Sequence, residues 1–330
     1  MPPSPSPGGS GCRRRQVARV QLHPGPRRSF HGGSQRIVCK DNRNTVLREA
    51  IAIVMSKFLR RLKRTARRAR EIIHSRRIGG PPCATCGFAG RPLHKDVLWP
   101  GLISEWELTP DWARWIDERE GTRCVWCGSS LRSSQLSAAI LRVVNGRSGS
   151  RATRLSALFR DARARTLSIA EINSAGNLHR YLARCPGLRY SEYGSRNPSV
   201  PSEDLLDLTY SDSSFDVVIT SDTLEHVSDI NRALRETYRI LKVGGTHVFS
   251  VPVVWDRPTR QRAAVSNGQV EYLLPPSYHG APSEGKSDFL VFYEFGSDFV
   301  ETCAEVGFEA ELLKDRANPA LVTFLARRER

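Results

Sequence analysis

The sequence contains no apolar run approaching the roughly 18 residues that a membrane-crossing helix needs, so no such helix is predicted. Methionine is almost missing, with Met1 and Met55 the only two. Acids are scarce at the front: residues 1–80 hold 20 Lys or Arg against 3 Asp or Glu, and residues 81–330 hold 30 against 31. The net charge of +16 is therefore a property of the front segment. The neutral remainder lacks the clustered cations that a phosphate backbone demands, which weighs against nucleic acid as the partner of the body.

What is present begins with "MPPSPSPGGSG", a Pro/Gly/Ser-rich start followed by basic sequence of no sustained period. Residues 1–50 read as a disordered basic tail. We take Met55 as the start of translation, with 1–54 as upstream sequence read in frame; an Arg-rich, acid-poor transit peptide is the alternative. Over 51–78, Ile51, Met55, Phe58, Leu62, Ala66, Ala69 and Ile73 recur at three- and four-residue steps, with Arg and Lys opposite. This is a solvated or packed basic amphipathic helix. Contact of 51–73 with an anionic membrane surface is a second reading, and RNA contact a third.

Four of the eight cysteines form two knuckles, "CATCG" (Cys83, Cys86) and "CVWCG" (Cys124, Cys127). Two thiolates at this spacing bind one tetrahedral ion from a tight turn, and two turns complete a structural zinc site with no open position for catalysis. Disulfides are the alternative, but nothing points to an oxidising compartment. The expectation is a cytoplasmic protein, at most peripheral to a membrane. The 37 residues between the knuckles must loop out of this zinc-ribbon-like module, taken as 81–130. They hold four of six tryptophans: Trp99, Trp106, Trp112 and Trp115. Thr109 and Pro110 mark a helix start and Gly121 its end. Trp112, Trp115 and Ile116 share a face of that helix, either for packing or as an aromatic platform for sugars or bases. "SSQLSAAILRVVNG" is a further helix closing at Asn145-Gly146.

From residue 166 strands and helices alternate, which predicts an α/β fold with a parallel sheet. Strands are expected at 166–172, 188–193, 215–220 and 246–252, helices at 177–183, 230–242 and 297–307, and a closing hairpin in "FEAELL" and "ALVTFLAR". Gly244-Gly245 should stop the second helix.

The run "YSDSSFDVVI…LEHVSD…ALRETYRILKVGG" resembles the second half of class I S-adenosylmethionine-dependent methyltransferases, over about 166–330. The chain is also similar to methyltransferase-domain proteins with a Cys-x-x-Cys front module. The resemblance implies a Rossmann-like seven-stranded sheet with an antiparallel last strand, in a domain at 131–330, and S-adenosylmethionine as cofactor beside structural Zn2+. It places Glu192 on the ribose diol, Asp204 and Leu205 at the adenine, and Ser221 and Asp222 near the methionine part. The first loop, "IAEINSAGNLHRYL" (169–182), departs from the family pattern of an acid followed by three spaced glycines. Glu171 matches the acid, but the glycine slots hold Asn173, Ala175 and Asn177, with Gly176 between them. Asn tolerates the left-handed region, and a cofactor without phosphates needs no anion cradle.

Methyl transfer asks the protein mainly to align an acceptor with the sulfonium and to exclude water. A hydroxyl acceptor also needs a base, for which His226 and His279 are the candidates, the latter in a long insertion at 253–288. The function expected is methyl transfer to a hydroxyl of a small molecule or glycan. The alternatives are an RNA or protein methyltransferase gripping substrate with the zinc module, and a non-catalytic binding module with a degenerate cofactor loop.

Overall fold

The computed structural model describes residues 42–278 and 289–330. His279 and most of the tail expected over 1–50 lie outside the described residues. From Leu59 to Arg330 the chain is one compact unit, so knuckles, Trp-rich insertion and sheet belong to a single body.

The elements are α1 (Asn42–Ile78), α2 (Pro100–Glu105), α3 (Pro110–Gly121), α4 (Leu131–Ser148), α5 (Leu155–Leu158), β1 (Ile169–Ile172), α6 (His179–Leu182) and β2 (Leu188–Ser191). There follow β3 (Phe215–Ser221), α7 (Ile230–Ile240), β4 (Leu241–Ser250), the ribbon strands β5 (Arg260–Gln261), β6 (Ala263–Ser266), β7 (Gln269–Tyr272) and β8 (Tyr293–Glu294), then α8 (Phe299–Glu305), β9 (Phe308–Lys314) and β10 (Val322–Arg328). Helix α1 starts at Asn42 rather than at residue 51. Leu47 extends the same four-residue step back from Ile51.

The main sheet has the order β2-β1-β3-β4-β10-β9. β2, β1, β3 and β4 run parallel, and β10 is antiparallel to both neighbours, as the resemblance implies. β1 and the first six residues of β3 are buried because helices cover both faces of the sheet, which is why both read as unbroken apolar runs. One face packs α7 and α8 around Phe249, Phe299 and Phe324. The other packs α4, α5 and α6 around Leu136, Ile140 and Leu178.

Six strands stand in this sheet where seven are expected. Beyond β2 the seventh is reduced to one parallel bridge, Glu192 with Ser202. The intervening "YGSRNPSVP" supplies a left-handed Gly194 and two prolines, which make turns and cannot complete a hydrogen-bonded ladder.

Two helix ends also differ from expectation. Helix α4 runs past Asn145-Gly146 and closes at Gly149, whose φ of 71° is left-handed and whose amide bonds the Asn145 carbonyl. Helix α7 stops at Ile240, before the glycine pair. Arg328 reaches across from β10 and donates to the carbonyls of Tyr238, Arg239 and Leu241 at 3.1, 3.1 and 2.6 Å. A cation thus satisfies acceptors that a helix C-terminus leaves open. The start of α3 is as expected, with Thr109 accepting the Trp112 amide and Pro110 in the first turn.

Candidate functional site

The carboxyl ends of β1, β2, β3 and β4 share one edge of the sheet, in register at Ile172 with Ser191 and Ser221 with Ser250. β2 and β3 lie on opposite sides of β1, so the chain reverses its direction of travel there, the place where doubly wound sheets hold ligands.

The loop after β1 uses two left-handed residues, Asn173 (φ 58°) and Gly176 (φ 60°). Ala175 sits at φ −74° and so needs no glycine, and Asn177 lies in a single helical turn. The Asn173 side chain accepts the Tyr193 amide at 2.8 Å, tying the β1 loop to the β2 loop. Glu171 is fully buried; it accepts the Ala175 amide at 2.9 Å and pairs with His179 Nδ1 at 2.7 Å. Burial pushes its carboxyl above the usual range, against the pull of those two partners. His179 meets Tyr190 in a tilted ring contact at 4.1 Å between centroids, and the Tyr190 hydroxyl donates to Glu192. A continuous line of contacts thus joins Glu171 to Glu192.

Glu192 is half-buried one residue beyond β2. Asp204 Oδ1 accepts the Leu206 amide at 2.9 Å and closes its own turn, while Leu205 is buried in the core beside α7.

The end of β3 is held from outside the sheet. Arg119 of α3 and Arg132 of α4 flank the second knuckle in sequence and converge on Asp222. Arg119 donates from both terminal nitrogens at 2.9 and 3.1 Å, and Arg132 Nε lies 3.1 Å away. Arg132 also donates to Ser221 Oγ at 2.6 Å, Ser250 donates to Asp222 at 2.8 Å, and Glu120 pairs with both arginines. Burial pushes the Asp222 carboxyl up, but the two guanidinium groups outweigh it and hold it well below the usual range. The sequence reading missed both arginines. For Arg119 a signal existed: Trp112, Ile116 and Arg119 fall on one helical stripe, and all three are buried.

His226 lies in the turn after β3. Its Nδ1 donates to the Leu290 carbonyl at 3.0 Å, which leaves Nε2 as the basic nitrogen of the neutral ring. In the insertion after β4, Arg257, Arg260 and Arg262 all pair with the buried Glu294, and Arg257 and Arg260 also donate to the Trp106 carbonyl at 2.8 and 3.3 Å. Beside it opens a groove of about 440 Å³ lined by Thr109, Asp111, Trp112, Trp115, Trp255, Asp256 and Pro319. Trp112 and Trp115 meet edge to face at 5.2 Å, and the Trp112 indole donates to Asp256 at 2.6 Å. The tryptophans of α3 therefore both pack against Val254 and Ala320 and line this groove.

The two knuckles face each other. All four sulfurs lie within 4.8 Å of one another, with Cys83–Cys127 at 3.8 Å and Cys86–Cys124 at 3.7 Å. Bonds of about 2.3 Å to a tetrahedral zinc ion place its sulfurs about 3.8 Å apart, so the donor set fits that ion. These separations are far beyond the roughly 2.05 Å of a disulfide. Gly87 (φ 81°) and Gly128 (φ 77°) make the two turns. The second knuckle rests on the β1 loop region: Arg180 donates to the Cys127 carbonyl at 3.1 Å, and a Cβ on Gly128 would lie 3.3 Å from the side-chain Nδ2 of Asn177.

Residues 176–249 match a family described as Methyltransferase domain. Among solved structures, an S-adenosylmethionine-dependent methyltransferase from Methanosarcina mazei is similar at 17% identity over 49% of this chain and 92% of that one, with a TM-score of 0.31. Another, from Mesorhizobium loti, is 18% identical over 49% and 91%, with a TM-score of 0.31. The 1,6-didemethyltoxoflavin-N1-methyltransferase of Burkholderia thailandensis is 14% identical over 72% and 94%, with a TM-score of 0.37. No curated protein matches the sequence. The match to a methyltransferase domain spans 176–249, inside the stretch that resembles that enzyme class.

Proposed function

We propose that the methyltransferase domain transfers the methyl group of S-adenosylmethionine to a hydroxyl of a small molecule or glycan. One observation supports the reading: in the matched span 176–249, Glu192 follows β2, Ser221 ends β3 and Asp222 follows it, all at the carboxyl edge of a parallel sheet, and Glu203, next to Asp204 and Leu205 in the chain, donates its amide back to Glu192. The residues fit the cofactor. Glu192 offers a carboxylate to the ribose diol, Asp204 and Leu205 suit the adenine, and Asn173 with Gly176 supplies the left-handed backbone that glycines give elsewhere. When bound, the cofactor supplies an already activated methyl group. The chain's own work is to orient the acceptor, exclude water and receive a proton, for which His226 Nε2 is the candidate.

The groove beyond β4 favours a glycan among acceptors. Indole faces stack on the C–H faces of sugar rings, and Asp111 and Asp256 can accept hydroxyl protons. The four cysteines are read as holding structural Zn2+, which would add folding free energy and keep the arginines of α3 and α4 in place. The non-catalytic alternative draws support from the arginine pair, because Ser221 and Asp222 already have partners within the chain.

Incubation of the full chain with methyl-labelled S-adenosylmethionine and separate pools of hydroxylated small molecules, oligosaccharides, RNA and protein tests the acceptor. Label in the hydroxylated or oligosaccharide pool is expected. Label confined to RNA or protein would defeat the acceptor assignment.

A further inference from the structure

We propose that α1 lies in the plane of an anionic membrane surface and brings the methyltransferase domain to it. The helix has two opposed faces. At 3.6 residues per turn, Val54, Phe58, Leu62, Ala69 and Ile73 fall within an arc of about 100°, with Met55 and Leu59 at its margin. Arg60, Lys63, Arg64, Arg67 and Arg70 occupy the opposite side, and Lys57, Arg61 and Arg68 line the flank next to Val54. Between residues 57 and 70 there are eight Lys or Arg and no acid.

Among the described residues the apolar face is uncovered. Val54 is 64% exposed, Phe58 54%, Leu62 49% and Ile73 54%. These are large apolar side chains in a row, and a soluble surface seldom leaves such a row open without an occupant. From Leu59 onward the helix belongs to the unit that holds the sheet, where Arg68 donates to the Trp126 carbonyl at 3.1 Å and the buried Ser75 donates to the Arg91 carbonyl at 2.6 Å. Within that unit Leu62 and Ile73 of the stripe stay exposed.

The charge pattern selects the occupant. A dense cationic face calls for an anionic partner, and the chain from residue 81 onward is close to neutral, so the excess positive charge lies in α1 and the sequence before it. Nucleic acid would satisfy the cations and leave the apolar stripe in water. An anionic lipid surface satisfies both faces at once: the stripe enters the headgroup–acyl boundary by about 5–10 Å and the cations stay at phosphate level. Long Arg and Lys stems allow this by reaching back to the interface. The inference stands apart from the methyl-transfer reading, since it concerns where the domain sits and not what it transfers.

Co-sedimentation of the full chain with vesicles tests it, using phosphatidylcholine alone and phosphatidylcholine mixed with phosphatidylglycerol. Binding to the mixed vesicles only, weakened by salt, is expected. The double variant Leu59→Glu/Leu62→Glu should lower that affinity by about tenfold or more, as should Arg61→Glu/Arg64→Glu. All four positions are exposed, so melting temperature should stay unchanged and loss of folding is separable from loss of binding. A Phe58→Trp variant should be quenched by brominated acyl chains, which adsorption through charge alone would not produce. The proposal is overturned by equal affinity for both vesicle types or by binding that survives the leucine variant. It is equally overturned by a dimer in vesicle-free solution that the leucine variant dissolves, or by RNA binding that displaces the vesicles.

Discussion

Arg119 and Asp222 form a two-toothed ion pair, with both terminal nitrogens of the guanidinium on the two carboxylate oxygens at 2.9 and 3.1 Å. The arginine comes from the insertion between the knuckles and the aspartate from the end of β3. A helix that the sequence assigns to a separate front module is thereby wired into the candidate cofactor edge.

Asp222→Asn should be strongly destabilising for that reason. Arg119 is only 2% exposed, and neutralising Asp222 leaves it and Arg132 to share the single carboxylate of Glu120. A loss of about 3–5 kcal/mol is expected in urea unfolding, the range for breaking a buried pair from one side. A loss under about 1 kcal/mol would mean that Arg132 and Glu120 carry the cluster without Asp222.

Metal removal should act on the same place. Purified protein should contain one zinc per chain by elemental analysis, and chelation should lower the melting temperature and increase amide exchange in α3 and α4. The second knuckle stands between these helices, and its Cys127 carbonyl also holds Arg180 at 3.1 Å. Cys127→Ser should reproduce the effect. Metal-free protein with intact thiols and an unchanged melting temperature would contradict the zinc reading.

Acid should destabilise the fold through His247. This histidine is completely buried in β4, with Nε2 2.9 Å from Thr220 Oγ1 and no hydrogen-bond partner for Nδ1 among the described residues. Burial pulls it from 6.5 down to about 3. The folded chain thus refuses a proton that the unfolded chain accepts. The contribution is neutral above 6.5, and stability falls as pH drops from there toward 3. His247→Asn, which keeps a partner for Thr220, should flatten the pH dependence of the melting temperature in that window. An unchanged slope would locate the acid sensitivity elsewhere.

The parallel core was legible because β1 and β3 are buried on both sides and leave continuous apolar runs. The knuckles were legible because Cys-x-x-Cys-Gly spacing lets one tight turn aim two sulfurs at the same point. What the sequence hid was long-range. Arg328 ends α7 from the last strand, where the local signal pointed to Gly244-Gly245. The Asn145-Gly146 pair looked like a helix stop, yet the left-handed turn falls at Gly149. Arg119 lies 103 residues from its partner, and a charge on a buried stripe was its one local sign. The β1 loop was half legible. Asn173 does take the left-handed conformation expected of a glycine substitute, but the second such residue is Gly176, which the family spacing places between slots.

The central claim is that a loop built on Asn173 and Gly176 still closes a cofactor site. Calorimetric titration of the full chain with S-adenosylmethionine tests it most directly. The account predicts saturable binding of one cofactor per chain, weakened about tenfold or more by Glu192→Ala, which removes the ribose acceptor, and weakened also by Asn173→Val, which strains the left-handed position. No heat of binding at millimolar cofactor, from a chain that melts cooperatively and holds its zinc, would contradict it.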